Sequence, residues 1–316
     1  MAAFLANLFI AIAKLIGFFF TGAASMLAES IHSVADTANE GLLLLGGVLS
    51  RRRETDEHPF GYGRERYFWA FVVALVIFSM GSVFAVYEGV DKLIEPHLLE
   101  SPIWAVGILL VAMLLEGLSL RTAVQESNRE RGNLGWWAFI RRSKIPELPV
   151  VLLEDMGALV GLFLALIGVG LAMLTGDPRF DAMGSLAIGV LLFAIAVVLA
   201  IEMRSLLIGE AASRKVIKAL RQVIENHPPV RRLIHMRTEH IGPEELLVAV
   251  KVEFDRELGF EGVCSAINAM EVVIRQAVPI ARVIYIEPDI YRPAREDEPP
   301  DMSGVGPGEQ DAEGQE

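Results

Sequence analysis

His32 and Asp36 stand four residues apart in the stretch 25-SMLAESIHSVADTANEGLLLLG-46. On a helix that spacing stacks them one turn apart, about 6 Å along the axis. An imidazole nitrogen and a carboxylate oxygen at that distance can hold one cation between them. This ligand pair suits zinc, with bond lengths of roughly 2.0–2.2 Å. Glu29 and Glu40 lie on the same helical stripe, three residues before His32 and four after Asp36. Two ligands do not complete a metal site, so further donors must come from another helix. The stretch 149-PVVLLEDMGALVGLF-163 offers adjacent carboxylates, Glu154 and Asp155. Neighbouring residues on a helix differ by about 100° in direction, so one of the two faces a shared site and the other faces elsewhere.

The elements that must position these groups are apolar runs of membrane length. The chain has 316 residues, of which 53% are hydrophobic, and a mean hydropathy of +0.44. Six runs reach the roughly 20 residues needed to cross a bilayer core: about 3–22, 24–49, 67–93, 102–124, 149–174 and 180–208. The first has no basic n-region and is interrupted by Lys14, so it reads as a retained span and not a secretory signal. Ionisable groups inside spans are costly and face a cavity, a partner or an ion path. Lys14 and Glu116 are expected to pair in the bundle interior, and Glu88 is read in the same way. For His32 with Asp36, ligand spacing makes metal binding the better reading.

Basic residues in short loops set orientation. Arg51, Arg52, Arg53, Arg64 and Arg66 follow the second run, and Arg121, Arg129, Arg131, Arg141, Arg142 and Lys144 follow the fourth. The alternate loops hold only Lys92 and Arg179. This bias places both termini in the cytoplasm, with the plasma (inner) membrane as the expected location. The aromatic and basic segment 135-GWWAFIRRSK-144 suits the inner-leaflet interface. A net charge of −12 argues against nucleic acid as a partner. One cysteine, Cys264, excludes an intrachain disulfide and a thiolate metal cluster.

Residues 211–292 read as helix, strand, strand, helix, strand. The helix 211–228 carries Val216, Ile217, Leu220, Val223 and Ile224 at helical spacing. Strands are expected over 230–242 and 245–254, a helix over about 261–277, and a last strand over 281–288, with alternation in Leu247, Ala249 and Lys251 against Val248, Val250 and Val252. His227 and His240 are read as surface residues. The tail 293–316 is rich in Pro, Gly and acids and is expected to be disordered. The division is therefore a six-helix transmembrane domain over 1–208, a cytoplasmic α+β dimerisation domain over 209–292, and an acidic tail.

Over about 1–290 the sequence resembles the cation diffusion facilitator family of zinc transporters. The resemblance rests on 21-TGAASMLAES-30, 32-HSVAD-36, 58-HPFGYGRERYFWAF-71 and 85-AVYEGVDKL-93. It implies a homodimeric metal–proton antiporter with a tetrahedral site shared by spans two and five, and a cytoplasmic domain of metallochaperone-like αββαβ fold. The family's span-two pair maps onto His32 and Asp36, and its span-five aspartate onto Asp155. Where many zinc exporters carry His or Asp, this chain has Val151, leaving Glu154, Glu29 or water as the fourth ligand. The VLLED pattern resembles the branch related to the mitochondrial zinc transporter. Losing a nitrogen ligand enriches the site in oxygen, which brings manganese and ferrous iron up beside zinc as cargo.

Further family sites look depleted. His58 has Tyr62 four residues on, so it reads as a turn residue ahead of 59-PFG-61. In the soluble domain His235 and Glu287 match ligand places, but Lys251 and Tyr285 stand where other ligands belong, so no tight binuclear site is expected. No cofactor and no catalytic residues are implied. The expected function is export of a divalent metal against inward proton flow, and the rival reading is a non-transporting membrane metal sensor or scaffold.

Overall fold

A computed structural model describes residues 8, 12, 16, 24–95 and 102–292; of 24–33, 35, 36, 78, 79, 102, 104, 105 and 108 it describes the helix and not the side chains. Lys14 and the tail 293–316 lie outside the described residues, as does the first expected span apart from the helical Leu8, Ile12 and Ile16. The chain divides into two compact units, Met1–Ile208 and Gly209–Glu316.

The first unit is all helical. α1 spans Ala24–Leu49 and α2 spans Glu65–Val76, which runs through a π-helical segment, Ile77–Val83, into α3, Phe84–Ile94. α4 (Pro102–Arg131), the short α5 (Trp136–Arg142), α6 (Glu147–Thr175) and α7 (Arg179–Ile208) follow. Among the described residues three helices are long and apolar enough to cross a membrane: Glu65–Ile94, Glu147–Thr175 and Arg179–Ile208. Tyr67, Val73, Phe139, Val150, Leu199 and Met203 fill the centre, while Leu110, Val111 and Leu114 of α4 and Val190 and Phe193 of α7 point outward. Apolar side chains on the outside as well as the inside suit a bundle solvated by lipid.

The run expected as one span over 67–93 is continuous but carries the π segment at its middle. Such wide turns loosen the backbone ladder locally. Here the loosened stretch lies against α7, and Ser82 Oγ donates to the Gly189 carbonyl at 2.9 Å.

Polar links tie the helix ends. Arg66, at the start of α2, grips Glu147, at the start of α6, with both arms of its guanidinium; the Nη2–Oε2 bond is 2.8 Å. Lys92 of α3 reaches Asp181 of α7 at 3.0 Å and Glu88 of its own helix at 3.0 Å. Glu88 therefore does not form the buried interhelical pair expected of it. It meets a lysine one turn on, with its side chain 44% exposed, because i,i+4 spacing closes the pair locally. In the loop before α2, His58 and Thr55 exchange backbone hydrogen bonds, so His58 is an exposed turn residue whose ring meets Tyr62 edge-on. On α5 the aromatic face is open, and Arg131 lies over the Trp136 ring at 4.4 Å.

In the second unit, α8 spans Arg214–Glu225, β1 Val230–Gly242, β2 Glu245–Phe254, α9 Phe260–Ala277 and β3 Ala281–Pro288. α8 is shorter than the expected 211–228 because Ser213 caps it, its side chain accepting the Val216 N–H, and Pro228 and Pro229 follow its end. The sheet order is β1-β2-β3, with β1 antiparallel and β3 parallel to β2. Leu246, Val248, Val250, Val252 and Phe254 all turn inward from β2 and pack with Leu220 and Ile224 of α8 and Met270 and Ile274 of α9. Period-two alternation produces this layer directly, since successive strand side chains face opposite ways.

His240 is not a surface residue; it is only 4% exposed. Its backbone N–H donates to the Glu210 carbonyl at 2.8 Å, and its Nδ1 lies 3.4 Å from the Gly242 carbonyl oxygen. The ladder shifts register between Leu233 and His235, which moves the inward phase from Leu233 to Met236, Thr238 and His240, paired with the buried Val250, Val248 and Leu246. His227 is half-buried, held in the turn that leads into β1.

Candidate metal site

His32 and Asp36 lie in α1; their side chains fall outside the described residues, as does that of Glu29. The helix itself places residues 32, 36 and 39 on one side by its 3.6-residue period. Asn39 is described, is 4% exposed, and points to α6: its Nδ2 donates to Glu154 Oε1 at 2.8 Å. A carboxylate can only accept here, which fixes the amide with nitrogen toward Glu154.

The adjacent carboxylates of α6 separate as the helical period requires. Glu154 reaches α1 through Asn39, whereas Asp155 Oδ2 accepts the Ser119 hydroxyl of α4 at 2.9 Å. Both are half-buried. Val151, one turn earlier than Asp155, packs against the apolar core of the unit. Among the described residues no three His, Cys, Asp or Glu side chains converge on one point. Glu40 and Glu116 are half-buried and have partners of their own.

Two residues of this arrangement went unassigned in the sequence reading. Asn39 carried a signal, being seven residues after His32 and so on the same helical stripe. Ser119 carried none, since a lone hydroxyl in an apolar run is common in membrane helices.

In the second unit the register brings His235, Lys251 and Glu287 into one row across β1, β2 and β3. Lys251 Nζ lies 3.2 Å from Glu287 Oε1 and 3.3 Å from Asp289 Oδ2. The hydrogen bonds to Glu287 and Asp289 hold the Lys251 ammonium above the usual lysine range. The Asp289 carboxyl is held below its usual range, first by the Ile290 N–H and then by Lys251. A lysine raised in the fold contributes stability below its unfolded value, lost as pH rises through the folded one. An aspartate lowered in the fold contributes above its unfolded value, lost as pH falls through the folded one. The cluster is therefore whole across neutral pH and fails only at the two extremes. A carboxyl titration followed by NMR should put the Asp289 midpoint below that of ordinary aspartate. Lys251→Met should move it only part of the way back, because the Ile290 N–H remains.

Known proteins bear on this arrangement. A sequence model of the cation efflux transmembrane domain matches residues 1–208. The proton-coupled zinc antiporter SLC30A9, mitochondrial, of Xenopus laevis is 35% identical over 245 residues, 77% of this chain and 44% of that protein. Metal tolerance protein C4 of Arabidopsis thaliana is 31% identical over 235 residues, 74% of this chain and 51% of that protein. The cation-efflux pump FieF of Pectobacterium atrosepticum is 26% identical over 274 residues, 86% of this chain and 85% of that protein. The chain thus spans less than half the length of the SLC30A9 relative. A solved nickel form of the MamM CTD aligns with 25% of this chain and 100% of its own at 16% identity and a TM-score of 0.24. With the transmembrane-domain match running across the whole helical unit, this chain belongs to the cation efflux family of membrane metal transporters.

Proposed function

We propose that the protein is a homodimeric, six-span metal–proton antiporter that exports zinc. His32 and Asp36 of α1 and Asp155 and Glu154 of α6 form its intramembrane site, and its termini lie in the cytoplasm of a plasma (inner) membrane. The observation that carries this reading is the 2.8 Å contact joining Glu154 of α6 to α1, the helix that bears His32 and Asp36. Family membership, the zinc antiporter relatives at 35% identity, and the arginine-rich loops 50–66 and 121–146 support it.

The ligands must shed protons to hold a dication, so cargo and protons compete for the same groups. Carboxylates are ionised at neutral pH, and an ordinary imidazole titrates near about 6.5. We assign proton coupling to His32, the one imidazole of the set. Deprotonated ligands take the metal from the cytoplasmic side; helix rocking opens the site outward; protons displace the metal and return with the empty carrier. With Val151 offering no donor, the set holds one nitrogen and several oxygens, which extends the cargo to manganese and ferrous iron.

Metal uptake into proteoliposomes tests this. With an acidic lumen, zinc entry should run several-fold faster than with the pH gradient collapsed by an ionophore, and zinc entry should alkalinise the lumen. Uptake indifferent to the gradient would remove the antiport. No uptake of any divalent metal would leave the sensor reading standing instead.

A further inference from the structure

Asn39 belongs to none of the ligand positions above, yet it is the residue through which α1 meets Glu154. It is 4% exposed, between Asp36 and Glu40 of the same helix. Its Nδ2 is used, donating to Glu154 Oε1 at 2.8 Å. Its Oδ1 is buried and accepts no hydrogen bond among the described residues. A buried amide oxygen without a protein partner is uncommon and calls for a specific explanation, such as a bound ion. Its lone pairs are open to a group that arrives during function. The helical period sets residue 39 about 20° around α1 from residue 32 and about 60° from residue 36, and about 4.5 Å above residue 36 along the axis.

The geometry points to Asn39 as a double-acting residue of the cargo path. Its amide N–H clamps Glu154 onto the α1 side, and its carbonyl oxygen is a neutral oxygen donor to the transported dication. This rests on the proposed placement of the metal between α1 and α6 and deepens it. Beside the His32 nitrogen and the carboxylates of Asp36, Asp155 and Glu154, the amide oxygen adds a donor on the α1 side where Val151 supplies none on α6. The amide oxygen adds hard donor character without charge, so it raises the relative standing of manganese against zinc. Asn39 acts as a clamp in the empty carrier and as a selectivity-determining donor in the loaded one.

The alternative is that Asn39 merely joins two helices by a hydrogen bond. The two roles differ in what they change. A helix tie affects folding and the maximal rate of every cargo alike. A donor changes KM, and unequally between metals.

The test measures KM and maximal rate for zinc and for manganese in proteoliposomes of the full chain carrying Asn39→Leu, Asn39→Asp or no change. Asn39→Leu keeps the branched shape and removes both amide functions. It should raise KM for both metals, manganese more, with a shift within the roughly 10–100-fold range caused by loss of a supporting group at a metal site. Asn39→Asp keeps an oxygen and removes the N–H, and should move the manganese-to-zinc preference the opposite way from Asn39→Leu. If Asn39→Leu fails to fold, Asn39→Asp alone decides: a preference shifted toward manganese supports the donor role. An unchanged metal preference in whichever variants fold overturns it. Asp36→Ala, run in parallel, separates the two levels. If Asp36→Ala still transports, the site between α1 and α6 is wrong altogether. If it is inactive while the Asn39 variants keep wild-type preference, only the Asn39 role falls.

Discussion

Asp36→Ala should abolish transport of every divalent cation while leaving a folded protein. Asp36 is one half of the four-residue pair with His32, the only His in α1. If the proposed site is right, removing this charged ligand costs more than the roughly 10–100-fold that follows loss of a supporting partner. The folded state should survive, because removing an ionisable group from a membrane span also removes the cost of holding it there. Metal uptake into proteoliposomes reads the first effect and thermal unfolding in detergent reads the second. Undiminished uptake in this variant would refute the site. Asp36→Asn makes a sharper companion: shape is kept, one oxygen donor remains and the charge is gone, so binding should weaken and the coupling to protons should change. Asp155→Ala is expected to follow Asp36→Ala in direction. The Ser119 hydroxyl it leaves behind can turn to the Leu115 or Glu116 carbonyl of its own helix.

Gly189→Val should damage the fold of the helical unit by about 3 kcal/mol or more, the upper end for overpacking a close contact. A Cβ built at Gly189 would lie 2.5 Å from Val86 Cγ2, 3.0 Å from the Val86 nitrogen and 3.2 Å from the Ser82 carbonyl oxygen. Two of those three atoms are backbone, so no side chain can simply swing away. The clash falls where the π-helical segment Ile77–Val83 joins α3, the place that the Ser82 hydroxyl ties to the Gly189 carbonyl. Gly189→Ala should cost less, and Gly170→Ala on α6, whose Cβ would meet nothing within 4 Å, should cost nothing or gain slightly in helix propensity. Thermal unfolding of the three variants in one detergent reads the order. A Gly189→Val protein as stable as the parent would mean that α7 does not approach the π segment this closely.

Much of the chemistry was legible because helices and strands have fixed periods. The interval between His32 and Asp36, the adjacency of Glu154 and Asp155, and the alternation that turns Val248, Val250 and Val252 inward are one-dimensional facts. A residue list suffices to read them, since a period needs no partner. The apolar runs that become α6 and α7 are legible for the same reason: bilayer thickness sets their length before any packing occurs. Rotation of a helix about its own axis is another matter. It depends on what the neighbouring helices present, so the sequence could say that Glu154 and Asp155 diverge but not which one meets α1. Packing assigned Glu154 to Asn39 and Asp155 to Ser119. The same holds for His240, buried by a register shift, for Glu88, drawn to its own helix by Lys92, and for the π turn that receives Gly189. Each depends on contacts between residues far apart in the chain or on a local break in the period, and periodicity carries neither.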